Sequence, residues 1–218
     1  MSQRLKADLD VDMARLRRML EKAVGKGGAN PDREFLDRLA RQERHRILDL
    51  ACGACNEANT LTDFLSDLSE AGSEKRVELT GIDVRAREIA DASRRFQTSS
   101  VAGRDMREFE FLNGDATQLD QHRELGDDFD LVFLRHQNFW NGERTWEEIF
   151  DHALTRLGDD GRLVITSYFD REHQLALEAI ERLGGELIST EANPESRSLP
   201  TSGKSVDRHL AIFRKKLG

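Results

Sequence analysis

Leu5, Leu9, Met13, Leu16, Leu20 and Val24 recur at intervals of three and four, one stripe of an amphipathic helix whose other faces carry Arg and Asp. Such a stripe must lie on something apolar. The Gly25-Lys26-Gly27-Gly28-Ala29-Asn30 run breaks the helix, and Pro31 opens a second short one carrying Phe35, Leu36 and Leu39. From residue 45 the texture changes to short apolar runs alternating with longer amphipathic segments, the pattern of a parallel sheet with crossover helices. The runs predict strands near 46–50, 77–83, 108–113, 129–135, 162–169, 186–191 and 208–215. Helices are predicted near 56–71, 85–97, 143–157 and 171–184, with a weaker turn or helix near 117–125. Only the polar stretch 193–204 separates the last two strands, too short for a crossover, so they should pair antiparallel at one edge. Residues 1–44 thus read as a helical cover and 45–218 as one α/β domain.

Composition narrows the picture. A chain of 218 residues, 34% charged and 38% hydrophobic, suits one core with an appendage. The formal charge of −8 disfavours a broad grip on the phosphate backbone, so nucleic acid is not the expected partner. The first 50 residues are mildly basic, with 12 Lys and Arg against 9 Asp and Glu, which fits a solvated helix face better than an anion site. No stretch approaches the roughly 18 apolar residues of a membrane span. The charged start, Met1 to Asp8, lacks the apolar run of a signal peptide, so a cytoplasmic location away from membranes is expected. Cys52 and Cys55 lie too close together to staple a fold.

The candidate chemistry gathers at strand ends. Arg46 to Leu50 is an apolar strand running into Ala51-Cys52-Gly53-Ala54-Cys55 and then a helix. Small side chains there let a ligand approach the main chain, while the helix offers free N–H groups and a positive dipole end. A tight turn needs Gly53 for structural reasons as well. Asp83 ends the second strand, where a carboxylate can accept both hydroxyls of a ribose. Asp115 follows the third, where a carboxylate and the N–H of Ala116 suit an adenine; each acid alone also reads as a helix cap or loop residue. The Cys-x-x-Cys spacing at 52–55 has no further Cys or His cluster to complete a zinc site, so no metal is expected.

From residue 45 onward the chain resembles the class I S-adenosylmethionine-dependent methyltransferases. The matching pieces are Leu48-Asp49-Leu50-Ala51-Cys52-Gly53, Gly81-Ile82-Asp83, Gly114-Asp115-Ala116, Phe129-Asp130-Leu131-Val132-Phe133-Leu134, and Leu157 to Ile165. The resemblance implies a Rossmann-like seven-stranded sheet, mostly parallel with the last strand antiparallel, and helices on both faces. It also implies S-adenosylmethionine as cofactor. By the same resemblance the first loop, with Asp49, Ala51, Cys52, Gly53 and Cys55, holds the methionine part. Asp83 with Val84 holds the ribose side, and Gly114, Asp115 and Ala116 hold the adenine. Of the three positions usually glycine in that loop, only Gly53 is; Ala51 and Cys55 depart from the pattern.

The loop after the fourth strand, Arg135-His136-Gln137-Asn138-Phe139-Trp140, is where by resemblance the acceptor meets the methyl group. His136 is the candidate base there, with a structural imidazole as the competing reading. Arg135 reads as a partner for the cofactor's carboxylate or a substrate anion, or as a structural ion pair. Phe139 and Trp140 read as an apolar wall or as core. The 193–206 loop closes over the acceptor or lies free. The function expected is methyl transfer to a small or medium-sized acceptor. The rival is a non-catalytic binder of S-adenosylmethionine or adenosine serving regulation. An aminopropyl transfer is disfavoured, since no acid-rich polyamine pocket follows the fourth strand.

Overall fold

A computed structural model of the chain describes residues 3–25, 31–68, 75–97 and 106–216. The expected helix break at 26–30 and the tail of the helix expected over 56–71 lie outside them. The elements in order are α1 (Gln3–Ala23), α2 (Arg33–Arg41), β1 (Arg44–Leu50), α3 (Ala58–Leu68), β2 (Arg76–Asp83), α4 (Ala86–Gln97) and β3 (Arg107–Asn113). There follow β4 (Phe129–Arg135), α5 (Glu143–Arg156), β5 (Leu157–Ser167), α6 (Asp170–Arg182), β6 (Gly185–Ala192) and β7 (His209–Lys215). The weak element near 117–125 resolves into two short 3-10 helices, Ala116–Gln121 and Arg123–Leu125.

The strands form a single seven-stranded sheet in the order β3-β2-β1-β4-β5-β7-β6. β7 runs antiparallel to both its neighbours, β5 and β6, and the other pairings are parallel. Strand side chains alternate between faces, and both faces are covered, which is why the central strands read as unbroken apolar runs. Ile47, Leu131, Phe133, Val164 and Ile212 pack against α1 to α4. Leu48, Leu50, Val132, Leu134 and Ile165 pack against α5 and α6.

The apolar stripe of α1 is only partly used. Leu16, Leu20 and Val24 are buried in the same cluster as the sheet, whereas Leu5 stays 59% exposed. The helix lies on the face of the sheet beside α3, β6 and β7, and buried Asp12 takes Arg197 of the β6–β7 connection at 3.1 and 3.2 Å. α2 starts after an Asp32 cap, one residue later than Pro31, and the same Asp32 clamps the buried Arg162 at 2.6 and 2.7 Å. The N-terminal helices thus complete the core on that side.

The order of strands reverses between β1 and β4, and at such a switch point the carboxyl ends of neighbouring strands diverge into a crevice. The described chain places its candidate chemistry there.

Candidate active site

Between Leu50 and α3 the backbone turns sharply, and it does so by alternating into the left-handed region at Ala51 (φ 53°), Gly53 (φ 57°) and Cys55 (φ 47°). Glycine takes that conformation freely, whereas a side chain there costs about 1–2 kcal/mol. The two departures from the glycine pattern are therefore held in place by their surroundings. Cys55 donates its thiol to Oδ2 of Asp49 at 3.0 Å, and its backbone N–H reaches the Cys52 carbonyl at 2.8 Å. Asp49 is fully buried, and Oδ1 has no partner among the described residues. Burial first, and the carboxylate of Glu57 second, raise its pKa well above the ordinary range.

Asp83 ends β2 beside this turn and is 4% exposed. It accepts the Gly53 N–H at 2.8 Å and the Arg85 N–H at 2.8 Å, and the Arg85 guanidinium at 2.9 and 3.1 Å. Burial opposes its charge, but these donors prevail and hold its pKa below the usual carboxylate value. The Arg85 side chain is itself 58% exposed, so its share of the carboxylate is a weak surface contact.

A second cluster hangs from the end of β4. Arg135 holds Asp207 with two bonds, 3.0 and 2.7 Å, and Glu57 at 3.2 Å. Burial alone would raise the pKa of Asp207, yet Arg135 and His136 drive it far below normal. Thr166 adds its hydroxyl at 2.9 Å. Nε2 of His136 lies 2.8 Å from Oδ1 of Asp207 and 3.1 Å from the Asp207 backbone nitrogen. The Asp207 backbone N–H donates to Nε2, so Asp207 fixes the ring through its main chain as well as through its carboxylate. His136 (φ 60°) and Asp207 (φ 46°) both sit in the left-handed region, strain that clusters at working sites. The imidazole stacks on Tyr168, ring centroids 3.8 Å apart.

The crevice between these clusters has a volume of about 510 Å³, within the range of small-ligand sites. Ala51, Cys52, Gly53, Asp83, Val84, Arg135 and His136 all line it. Asp49 and Cys55 lie buried beneath the turn. Gly114, Asp115 and Ala116 are not among its walls. They follow β3 next door, where Gly114 donates to the Asp83 carbonyl at 3.1 Å and Asp115 caps a 3-10 helix by accepting from Thr117 N–H and hydroxyl at 2.9 and 2.8 Å. Arg135 both lines the crevice and forms the ion pairs with Asp207 and Glu57. Phe139 is core, stacked on Phe150, while Trp140 is 44% exposed.

Glu57, Arg85, Tyr168 and Asp207 carry the site without having been singled out in the sequence. Glu57 had a signal, an acid where the turn enters α3. Asp207 and Tyr168 had none, because only the folded chain brings the start of β7 and the end of β5 together. Tyr168 also borders a second cavity of about 590 Å³ that contains Trp140, Phe169 and Lys204, so the 193–206 loop does reach the site.

Asp49, Cys52 and Cys55 bring their potential metal-ligating atoms within 4.8 Å. Burial pushes the Cys55 thiol well up. Cys52 is raised too, its contact with Cys55 pulling it down but burial and nearby carboxylates outweighing that pull.

Residues 42–203 match the protein family described as a methyltransferase domain. None of the curated proteins matches the sequence. Solved structures with the same fold include a TehB-like SAM-dependent methyltransferase from Corynebacterium glutamicum, 20% identical with a TM-score of 0.53 over 95% of this chain and 100% of that one. The PH0226 protein from Pyrococcus horikoshii is 18% identical, TM-score 0.59, over 99% and 92%. Magnesium protoporphyrin IX methyltransferase from Synechocystis PCC 6803, solved with bound SAM, is 15% identical, TM-score 0.58, over 95% and 84%. At such identities the structural likeness is one of fold. Among the described residues no helix is long and apolar enough to cross a membrane.

Proposed function

The chain belongs to the methyltransferase-domain family, with S-adenosylmethionine as its cosubstrate, and from that premise we propose that it methylates a small or medium-sized molecule held in the cavity beyond Tyr168. The observation that carries this reading is the junction of two cavities at one residue: the crevice of Gly53 and Asp83 and the aromatic cavity share Tyr168.

The residues present fit the cosubstrate. The left-handed turn at Gly53 keeps side chains away from its floor, and Asp49 Oδ1 is a buried acceptor left over beneath it, suited to an ammonium group. Asp83 would take the ribose hydroxyls once Arg85 swings aside, with Val84 against the purine and Asp115 and Ala116 at its edge. When bound, S-adenosylmethionine supplies a methyl group on a sulfonium, an electrophile that needs no activation. The protein's work is then mainly orientation and exclusion of water, which can supply roughly 7–11 kcal/mol. Arg135, on the crevice wall, fixes Asp207, which in turn orients His136, an arrangement of base and orienting acid. The His136 imidazole would take the proton that the acceptor's oxygen or nitrogen gives up. The charge of the chain and the modest size of the second cavity favour a small acceptor over nucleic acid, and a cytoplasmic setting suits such a metabolite enzyme.

Calorimetry with S-adenosylhomocysteine tests the cradle: Asp83→Ala should bind about 1–3 kcal/mol more weakly. Label transfer from methyl-labelled cofactor to metabolite pools identifies the acceptor. His136→Ala should then turn over a hundred- to ten-thousand-fold more slowly with cofactor affinity kept, the loss shrinking as pH rises. Binding without any transfer would favour the regulatory reading.

A further inference from the structure

The second cavity carries information about what it accepts, an inference that rests on the function proposed above. Its apolar walls are Trp140, Tyr168 and Phe169, with the first and last in edge-to-face contact at 5.1 Å. Flat slots between aromatic rings suit planar ligands. Two charged side chains also face it, and they are not equivalent. Glu172 is 1% exposed and its carboxylate is spent on the fold: it accepts the Tyr168 N–H at 3.1 Å and bonds the Trp140 side chain and the Phe139 backbone. It holds the walls in place.

Lys204 is the opposite case. Its ammonium lies 4.1 Å from the centroid of the Tyr168 ring, and the Glu172 carboxylate feels its charge without closing a direct ion pair with it. The loop that carries it is built rather than loose. Leu199 N–H donates to the Lys204 carbonyl at 2.9 Å, Ser205 N–H donates to the Tyr168 carbonyl at 3.1 Å, and Ser198 and Ser205 pair as a small bridge. The chain therefore spends backbone bonds to bring a cation to an aromatic cavity.

A cationic amine entering this cavity would meet the Lys204 charge, with the Tyr168 face already taken. A neutral ligand would gain nothing from the ammonium charge. An anion alone would have no use for three aromatic walls. We propose that the acceptor is a planar aromatic acid whose anionic substituent pairs with Lys204 while its ring packs against Trp140 at the mouth of the cavity, the Tyr168 ring being occupied by His136 and Lys204. Lys204 is then a specificity-determining residue.

The test uses the full chain saturated with S-adenosylhomocysteine and three probes of one shape: naphthoate, naphthol and naphthylmethylammonium, titrated by calorimetry. Naphthoate should bind at least tenfold more tightly than the ammonium probe. Lys204→Met should abolish the preference and Lys204→Glu should reverse it, with naphthol nearly unaffected. Thermal unfolding checks that both variants fold, as expected for a partly exposed loop side chain. Equal or tighter binding of the ammonium probe, no binding of naphthoate, or naphthoate affinity unchanged in Lys204→Glu overturns the proposal. Failure of S-adenosylhomocysteine to bind counts against the function proposed above, and the probes are then compared on the free protein, where the same charge preference decides.

Discussion

Ala51, Gly53 and Cys55 share a left-handed backbone yet should respond differently to mutation. Ala51 has a half-exposed methyl with no role in packing, so Ala51→Gly relieves about 1–2 kcal/mol of strain and loses about 0.5–1 kcal/mol to the freer unfolded chain. It should be neutral or stabilising. Cys55 gains the same relief on replacement by glycine but forfeits a fully buried side chain and its bond to Asp49. Gly53→Val puts a β-branched residue at φ 57°, with its Cβ within 2.5 Å of the Arg85 guanidinium. That arginine can move, but the backbone strain stays, so stability should fall by about 1–3 kcal/mol and S-adenosylhomocysteine binding should weaken. Urea unfolding of the variants checks the ranking; an Ala51→Gly loss as large as that of Gly53→Val would show that conformation is not what distinguishes them. At this scale the sequence was readable wherever chemistry followed from a local position: Gly53, Asp83 and His136 stand at strand ends. It was unreadable for Asp207, whose pull on His136 depends on a residue 71 positions away.

Helix α1 could be foreseen from its periodicity, whereas the surface it rests on is set by the fold. Its periodicity predicted a helix that needs an apolar partner, and a cover over the site was one way to provide it. The buried half of the stripe instead rests on the sheet face, and no residue of α1 lines either cavity of the site. Leu16, Met19, Leu20 and Val24 are each buried, and at about 1.5–3 kcal/mol per side chain they rival the entire net stability of a domain, about 5–15 kcal/mol. Removal of residues 1–30 should therefore abolish cooperative unfolding rather than slow turnover in a sound fold. Far- and near-ultraviolet circular dichroism with thermal melts of the truncated chain decide this. A truncated protein that melts cooperatively near the full-length temperature, but transfers methyl groups slowly, would restore the cover.

Across the whole molecule the sheet was legible because burial on both faces leaves long apolar runs, and a polar link too short for a crossover marked the antiparallel strand. The partners of that link were not legible, since nothing local states that residues 198–205 fold back on Tyr168. The same long-range packing buries histidines, and that sets the response to acid. His45 is lowered to about 4, by burial first and then by Lys75 and Arg38. His173 is lowered to about 4 by burial, helped by His209 and opposed by Asp170; its nitrogens are engaged by Ser167 at 3.1 Å and Thr190 at 2.8 Å. In the unfolded chain both take a proton near pH 6.5. Between about 6.5 and 4 the unfolded state therefore binds protons that the folded state refuses, so stability is full above that window and falls as pH drops through it. The depressed carboxylates Asp83 and Asp207 act lower down: their contribution is present above their ordinary value of 3.8 and is lost as pH falls beneath it. The two effects are thus separable. The melting temperature should fall by several degrees between about pH 7 and pH 4.5, at about 2–4 °C per kcal/mol for a chain of this size. His173→Gln should flatten part of that slope even if it lowers stability at neutral pH. A flat profile over this range, or an unchanged slope in the variant, would mean that His173 accepts its proton in the folded state and that the packing around it yields.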